Sequence, residues 1–262
     1  MLNELRIVKV FIRRDWIIYR SMAYNLLINN SIISPLIYTY AYGYVIPRLG
    51  LSNVTNESAT VFFAGSILTM MFPLAFTWHQ SLLQDFEHTR FITYQTSVLA
   101  PAWVMFERIL FGSWVIMLHG TLLFPVSALL LGKRLVLYNA SIWKIVLCLY
   151  AGAILCSTFV VFLICYVQDF RSIRNFWLRI NHPMLQLGGL FIPWYVMNEL
   201  SPLIGLITLC NPMLYITEGL KHSITGDPRF FSFTYSIAGI TVFSVIFYRL
   251  MLYYLRKKID HI

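Results

Sequence analysis

The chain's 262 residues are 58% apolar and only 12% charged. A soluble domain covers its surface with about a quarter charged residues, so this composition excludes an ordinary soluble domain and points to a membrane. The net charge of +9 would suggest nucleic acid in a soluble protein. Here the basic residues flank apolar runs, and no basic stretch with interleaved aromatics lies outside them. That excludes nucleic-acid binding and leaves orientation in the bilayer and contact with anionic lipid headgroups as the use of the charge.

In residues 2–20, Leu5, Val8, Ile12 and Trp16 recur at three- and four-residue steps, with Arg6, Lys9, Arg13 and Arg20 largely off that line. The pattern predicts an amphipathic helix over residues 1–21 lying in the membrane interface. Charges recur through Arg20 and no small-residue cleavage site follows, so the segment does not read as a cleavable signal. Apolar runs then predict membrane-spanning helices over residues 22–46, 60–83 (with a kink at Pro73), 109–131, 142–167, 184–200 and 230–255. The fifth is short for a hydrocarbon core of about 30 Å. Residues 84–108 hold Asp85, Glu87, His88, Arg90, Glu107 and Arg108 and are too polar to span; they read as a charged segment with an internal helical stretch. The fold class expected is an all-α membrane protein, with residues 1–262 forming one domain, 22–255 its six-helix bundle and 256–262 a cytoplasmic tail.

Orientation follows from the basic residues. With the N-terminus inside, Arg6, Lys9, Arg13, Arg14, Arg20, Arg90, Arg108, Arg171, Arg174, Arg179, Arg249, Arg256, Lys257 and Lys258 all fall on the inner side. The outer side keeps Arg48, Lys133, Arg134, Lys144, Lys221 and Arg229. The imbalance predicts both termini in the cytoplasm.

Residues 201–229 are broken by Pro202, Pro212, Pro228, Gly205, Gly219 and Gly226. A half-apolar segment interrupted so often predicts a re-entrant outer hairpin, packed inward because its freed backbone groups cannot face lipid. Asn211 is suited to cap a half-helix opening at Pro212. Glu218 and Lys221, three apart on that helix, can pair with each other or across a dimer; an exposed pair of this kind would contribute about 0–1 kcal/mol.

Catalytic chemistry finds no support. The six histidines are scattered, and there is no HExxH or GxSxG motif. Gly132-Lys133 has Ser127 where a P-loop needs its first glycine, so any ATPase driving this chain is a separate polypeptide. Cys148, Cys156, Cys165 and Cys210 lack CxxC spacing and read as packing residues. No enzyme activity, metal or cofactor of its own is expected. The spans also lack central carboxylates, which counts against an ion-coupled carrier working alone, the competing reading. Tyr38, Tyr40, Tyr42 and Tyr44 near the outer end of the first span suit an aromatic belt, or a surface on which a sugar or lipid headgroup stacks; Tyr38 and Tyr42 are the candidate pathway-lining residues.

Two stretches carry a family resemblance. Gln84-Asp85-Phe86-Glu87-His88-Thr89-Arg90, followed by Leu99-Ala100-Pro101-Ala102, resembles the acidic, Thr-containing coupling segment of the type-2 membrane domain of ATP-binding-cassette (ABC) exporters. Asn211-Pro212-Met213-Leu214-Tyr215-Ile216-Thr217-Glu218-Gly219-Leu220-Lys221 resembles that family's Asn-Pro-x-x-Tyr-x-x-Glu-x-x-Arg hairpin, with Lys221 replacing the usual arginine. The resemblance implies an inner-membrane permease that exports a large amphipathic substrate: a glycolipid, polysaccharide, lipid or drug. It implies a second permease copy or homologue and two copies of an ABC ATPase, which bind ATP and Mg²⁺. It assigns coupling to Asp85, Glu87, Thr89 and Arg90, and an outer gate to Asn211, Pro212, Tyr215, Glu218 and Lys221.

Overall fold

The structure, a computed structural model, describes residues 2–33, 36–37, 40–41, 45, 56–87, 91–132, 135, 137, 139–167, 176–190 and 192–259. Helix α1 (Leu2–Leu26) passes the expected boundary at residue 21 without a break and continues as a π-helical stretch, Leu27–Ile33. The face it turns to the other helices lies beside the apolar line expected to meet the membrane interface. Phe11, Asp15 and Tyr19, at i, i+4 and i+8, are buried, whereas Ile12 and Trp16 lie in the open. The ring of Tyr19 packs edge-on to Trp78 and Trp114, so an aromatic anchor rather than the aliphatic line sets the rotation of the helix.

Helix α2 (Asn56–Glu87) contains Pro73 without ending there. A short α3 (Phe91–Val98) leads to α4 (Pro101–Leu131). Pro101 opens α4, where a missing backbone donor costs nothing and the fixed φ suits the first turn. The charged segment 84–108 is therefore the end of one long helix, a short helix and the start of another, and Glu107 and Arg108 are buried inside α4 rather than solvated ahead of it. Helix α5 (Ile142–Tyr166) coincides with the expected fourth span.

The expected fifth span does not form as one helix. A π-helical turn, Trp177–Asn181, precedes the single turn α6 (His182–Leu185), and a second, Gln186–Leu190, follows it. Gly188 leaves helical geometry and Gly189 has φ +73°. A Cβ on Gly189 would stand 2.8 Å from the Thr217 hydroxyl, so both conformation and space require glycine here. Only α7 (Trp194–Leu200) resumes the helix, after Pro193. Next come α8 (Pro202–Thr208) and α9 (Pro212–Thr225), bent by 99° about their break, as the prolines predict. Helix α10 (Phe233–Ile259) ends the described chain.

Among the described residues four helices are long and apolar enough to span, α2, α4, α5 and α10, or five if α8 and α9 are taken together. Helix α5 is central, packed on α10, α4, α2 and α9. All of α9 except His222 and Thr225 is buried. Gly65 of α2 lies so close to the 186–190 turn that a Cβ there would stand 2.2 Å from the Leu190 carbonyl oxygen. The clash is with backbone, which cannot swing aside. Gly65→Val is expected to destabilise the fold by about 1–3 kcal/mol or more, the usual cost of overpacking; a fall in the thermal midpoint of the purified protein measures it, and an unchanged midpoint would show that the two segments are not packed this closely.

Candidate functional site

Two buried ionic clusters lie near the two ends of α10, which are about 39 Å apart at 1.5 Å per residue. The first gathers around Asp85 in the last turn of α2. Arg108 Nη2 reaches Asp85 Oδ2 at 2.7 Å, and Arg14 Nη2 lies 3.3 and 3.2 Å from the two Asp85 oxygens. Arg108 also donates to Gln95 Oε1 at 3.2 Å and stands 3.6 Å from Asp15 Oδ1; Arg14 is 3.7 Å from the same oxygen. One guanidinium on α4 therefore holds together α1, α2 and α3. Asp15, Gln95 and Arg108 are buried, while the Arg14 side chain keeps 28% of its surface exposed. Burial lifts the Asp15 carboxyl above the ordinary aspartate range, although Arg108 and Arg14 pull the other way. Beside it Glu107 is buried with neither oxygen hydrogen-bonded among the described residues. Lys258, near the end of α10, sits over the Phe86 ring at 4.6 Å and donates to the Ile164 and Val167 carbonyls, tying the ends of α5 and α10 to this corner.

Of the predicted coupling residues, Asp85 is at the centre of this cluster. Glu87 is the last residue of α2, and its side chain lies outside the described part, as do Thr89 and Arg90. Sequence reasoning missed Arg14, Asp15, Gln95, Glu107 and Arg108 as one group. Their partners are 71 residues apart for the Arg14–Asp85 pair and farther still for Arg108 and Asp15, and no local spacing reveals such a meeting.

The second cluster organises the broken segment 182–200 around α9. Asn211 accepts from the Met213 N–H at 3.1 Å, the cap expected from the sequence, and its amide donates to the Met184 carbonyl at 2.6 Å. Thr217 donates to the Gly188 carbonyl at 2.5 Å, and Lys221 donates to the Gly189 carbonyl. Asn211 at the cap of α9, with Thr217 and Lys221 on it, thus donates to three carbonyls of the interrupted helix. Glu218 Oε1 accepts from Lys221 and from the Trp194 N–H, both at 3.2 Å. The Tyr215 hydroxyl donates to the Leu209 carbonyl at 2.9 Å, and Pro212 opens the helix. All five predicted gate residues therefore meet here.

One expectation is corrected. Glu218 and Lys221 do pair at i, i+3, but both are 0% exposed, so the surface-pair value does not apply. Among the described residues Lys221 is met by Glu218, the Gly189 carbonyl and the Phe230 ring at 5.8 Å, and Glu218 by Lys221 and the Trp194 N–H. Tyr38 and Tyr42 lie outside the described residues. No group of three or more His, Cys, Asp or Glu side chains among the described residues is placed to hold a metal.

Residues 6–225 match the family model of the ABC-2 type transporter. The chain belongs to that family. No curated protein and no solved structure matches it. As an ABC-2 type transporter domain with several long apolar helices, the chain is a multi-pass membrane protein and a permease subunit of an ABC transporter. The family serves as the membrane-embedded transport subunit and normally works with an ABC ATPase.

Proposed function

We propose that this ABC-2 permease exports an amphipathic substrate (a glycolipid, polysaccharide, lipid or drug) across the inner membrane, driven by a separate ATPase that binds ATP and Mg²⁺. Two permease chains, or this chain and a homologue, line the pathway, and two ATPase copies act from the cytoplasmic side, where both termini lie. The observation that carries the reading is the buried cluster at Asp85, because it fastens the end of α2 to α1, α3 and α4. A push from an ATPase on residues 84–101 would be shared by four helices at once instead of being lost in a loop. Glu87, Thr89 and Arg90, next in sequence to that anchor, are the residues that would meet the ATPase. At the far end of α10, the α9 cluster and its bent partner α8 serve as the outer gate, with Tyr38 and Tyr42 as candidates for the pathway wall. ATP closure does the work because the ATP-bound and ATP-free partner states hold this segment differently.

Reversing the charges together, Glu87→Arg with Arg90→Glu, is expected to leave membrane insertion intact, weaken the transport-linked stimulation of ATP hydrolysis and reduce export. Co-purification with the ATPase and hydrolysis in reconstituted vesicles are the measurements. Unchanged export with unchanged ATPase stimulation would refute the coupling role.

A further inference from the structure

Helices α4, α5 and α10 leave between them a cleft of about 740 Å³. Its walls are apolar, formed by Trp103, Phe106, Ile154, Val245 and Leu252 among others, and Arg249 is its one charged lining residue. The cleft is open along α10, of whose most apolar stretch only 17% is buried inside the protein. Along α10 the lining runs from Ile240 to Leu252, about 18 Å at 1.5 Å per residue. That is close to half of the hydrocarbon core, itself about 30 Å thick. The Tyr248 hydroxyl donates to the Ala102 carbonyl at 3.0 Å, bridging α10 to the first turn of α4. The cleft therefore runs along the middle of α10 and reaches the first turns of α4, on the side of the basic end Arg256-Lys257-Lys258.

Its charge decides what fills it. Arg249 is exposed and stands seven residues, two helical turns, before Arg256, so the two share one face of α10. Neither has an acidic partner among the described residues. A guanidinium on a lipid-facing surface two turns inside a basic helix end is costly unless its stem extends toward the interface and an anion meets it there. Guanidinium groups also match phosphate oxygens in a two-point geometry. We propose that the cleft binds one phospholipid, its acyl chain laid between α4 and α10 and its anionic headgroup held by Arg249 and Arg256. A second copy of the chain would bury Arg249 against apolar walls with no counter-charge, which favours the lipid. The site is independent of which substrate is exported.

The test uses the full chain in nanodiscs of phosphatidylcholine with a minor share of phosphatidylglycerol, with retained lipids counted by native mass spectrometry. The native protein is expected to enrich phosphatidylglycerol. Arg249→Gln should lower that enrichment about five-fold, the factor that one basic residue's attraction to an anionic surface amounts to; Arg249→Lys should keep most of it. Thr241→Trp, on the exposed side of α10, should fill the cleft and release the lipid of either headgroup. Equal enrichment in the native protein and Arg249→Gln would overturn the headgroup assignment, and undiminished retention in Thr241→Trp would overturn the acyl-chain assignment. Disulfide linkage between copies through cysteines placed at Thr241 and Val245 would make the cleft a protein interface and overturn both.

Discussion

Lys221→Met is expected to lower the stability of the folded protein by about 3–5 kcal/mol, the cost of removing one partner from a buried ion pair. Two losses combine. The Gly189 carbonyl loses its side-chain donor, and Glu218, 0% exposed, is left with a charge that, among the described residues, the Trp194 N–H alone addresses. Glu218→Gln should be costly for the mirror reason: it leaves a buried ammonium facing a neutral amide, although the amide oxygen can still accept from Trp194. The informative variant is the double change Glu218→Gln with Lys221→Met. It removes both charges, keeps the Trp194 acceptor and nearly keeps volume, so it should be less destabilised than either single variant. Thermal melts of the four proteins in one detergent decide the matter. Additive losses in the double variant would mean that the two charges act separately. At the level of transport, the single variants are expected to impair export or leak small solutes while still assembling with the ATPase.

Much of this architecture was legible because it rests on local physics. The apolar runs of α2, α5 and α10 had the length and composition that only a bilayer or a large core accepts, and the structure places helices there. Pro202 and Pro212 marked the breaks that became a 99° bend, and Asn211 before Pro212 marked a cap that is present. What could not be read was where the faces point. Ile12 and Trp16 marked the apolar line of α1 expected at the interface, but nothing local marked Tyr19 and Asp15 as its inward face, because their partners belong to α2 and α4. The segment 84–108 read only as a charged stretch too polar to span for the same reason. Counting charges along it gives polarity, whereas its burial comes from Arg14 and Asp15 meeting Asp85 and Arg108 across long stretches of chain. Glycine at 188 and 189 sat inside an apolar run and hid its break, since glycine is also common in spanning helices.

Arg108→Met is the second large effect expected, again about 3–5 kcal/mol, toward the lower end because Arg14 remains beside both carboxylates. The variant strips Asp85 of its 2.7 Å contact and Gln95 Oε1 of its donor, and leaves Asp15 and Asp85 to share one guanidinium next to Glu107. Arg14→Met should cost less, since a side chain 28% exposed is partly replaced by water. Asp15 adds a dependence on pH with a definite sign. Its carboxyl holds a proton to higher pH in the folded protein than in the unfolded chain. Between those two values the folded state binds more protons, so stability falls as pH rises through that window and is flat above it. Asp15→Asn should remove the slope. Arg108→Met should carry it to higher pH, because the larger of the two guanidinium effects that favour the ionised form is gone. Thermal midpoints recorded from mildly acidic to neutral pH give all three curves. Leu155→Ala serves as the control, since it empties a fully buried position in α5 that belongs to neither cluster: if it lowers stability as much as Arg108→Met does yet keeps ATP hydrolysis linked to export, while Arg108→Met does not, then the cluster transmits force. If both variants lose coupling in proportion to stability, the cluster only holds the helices together.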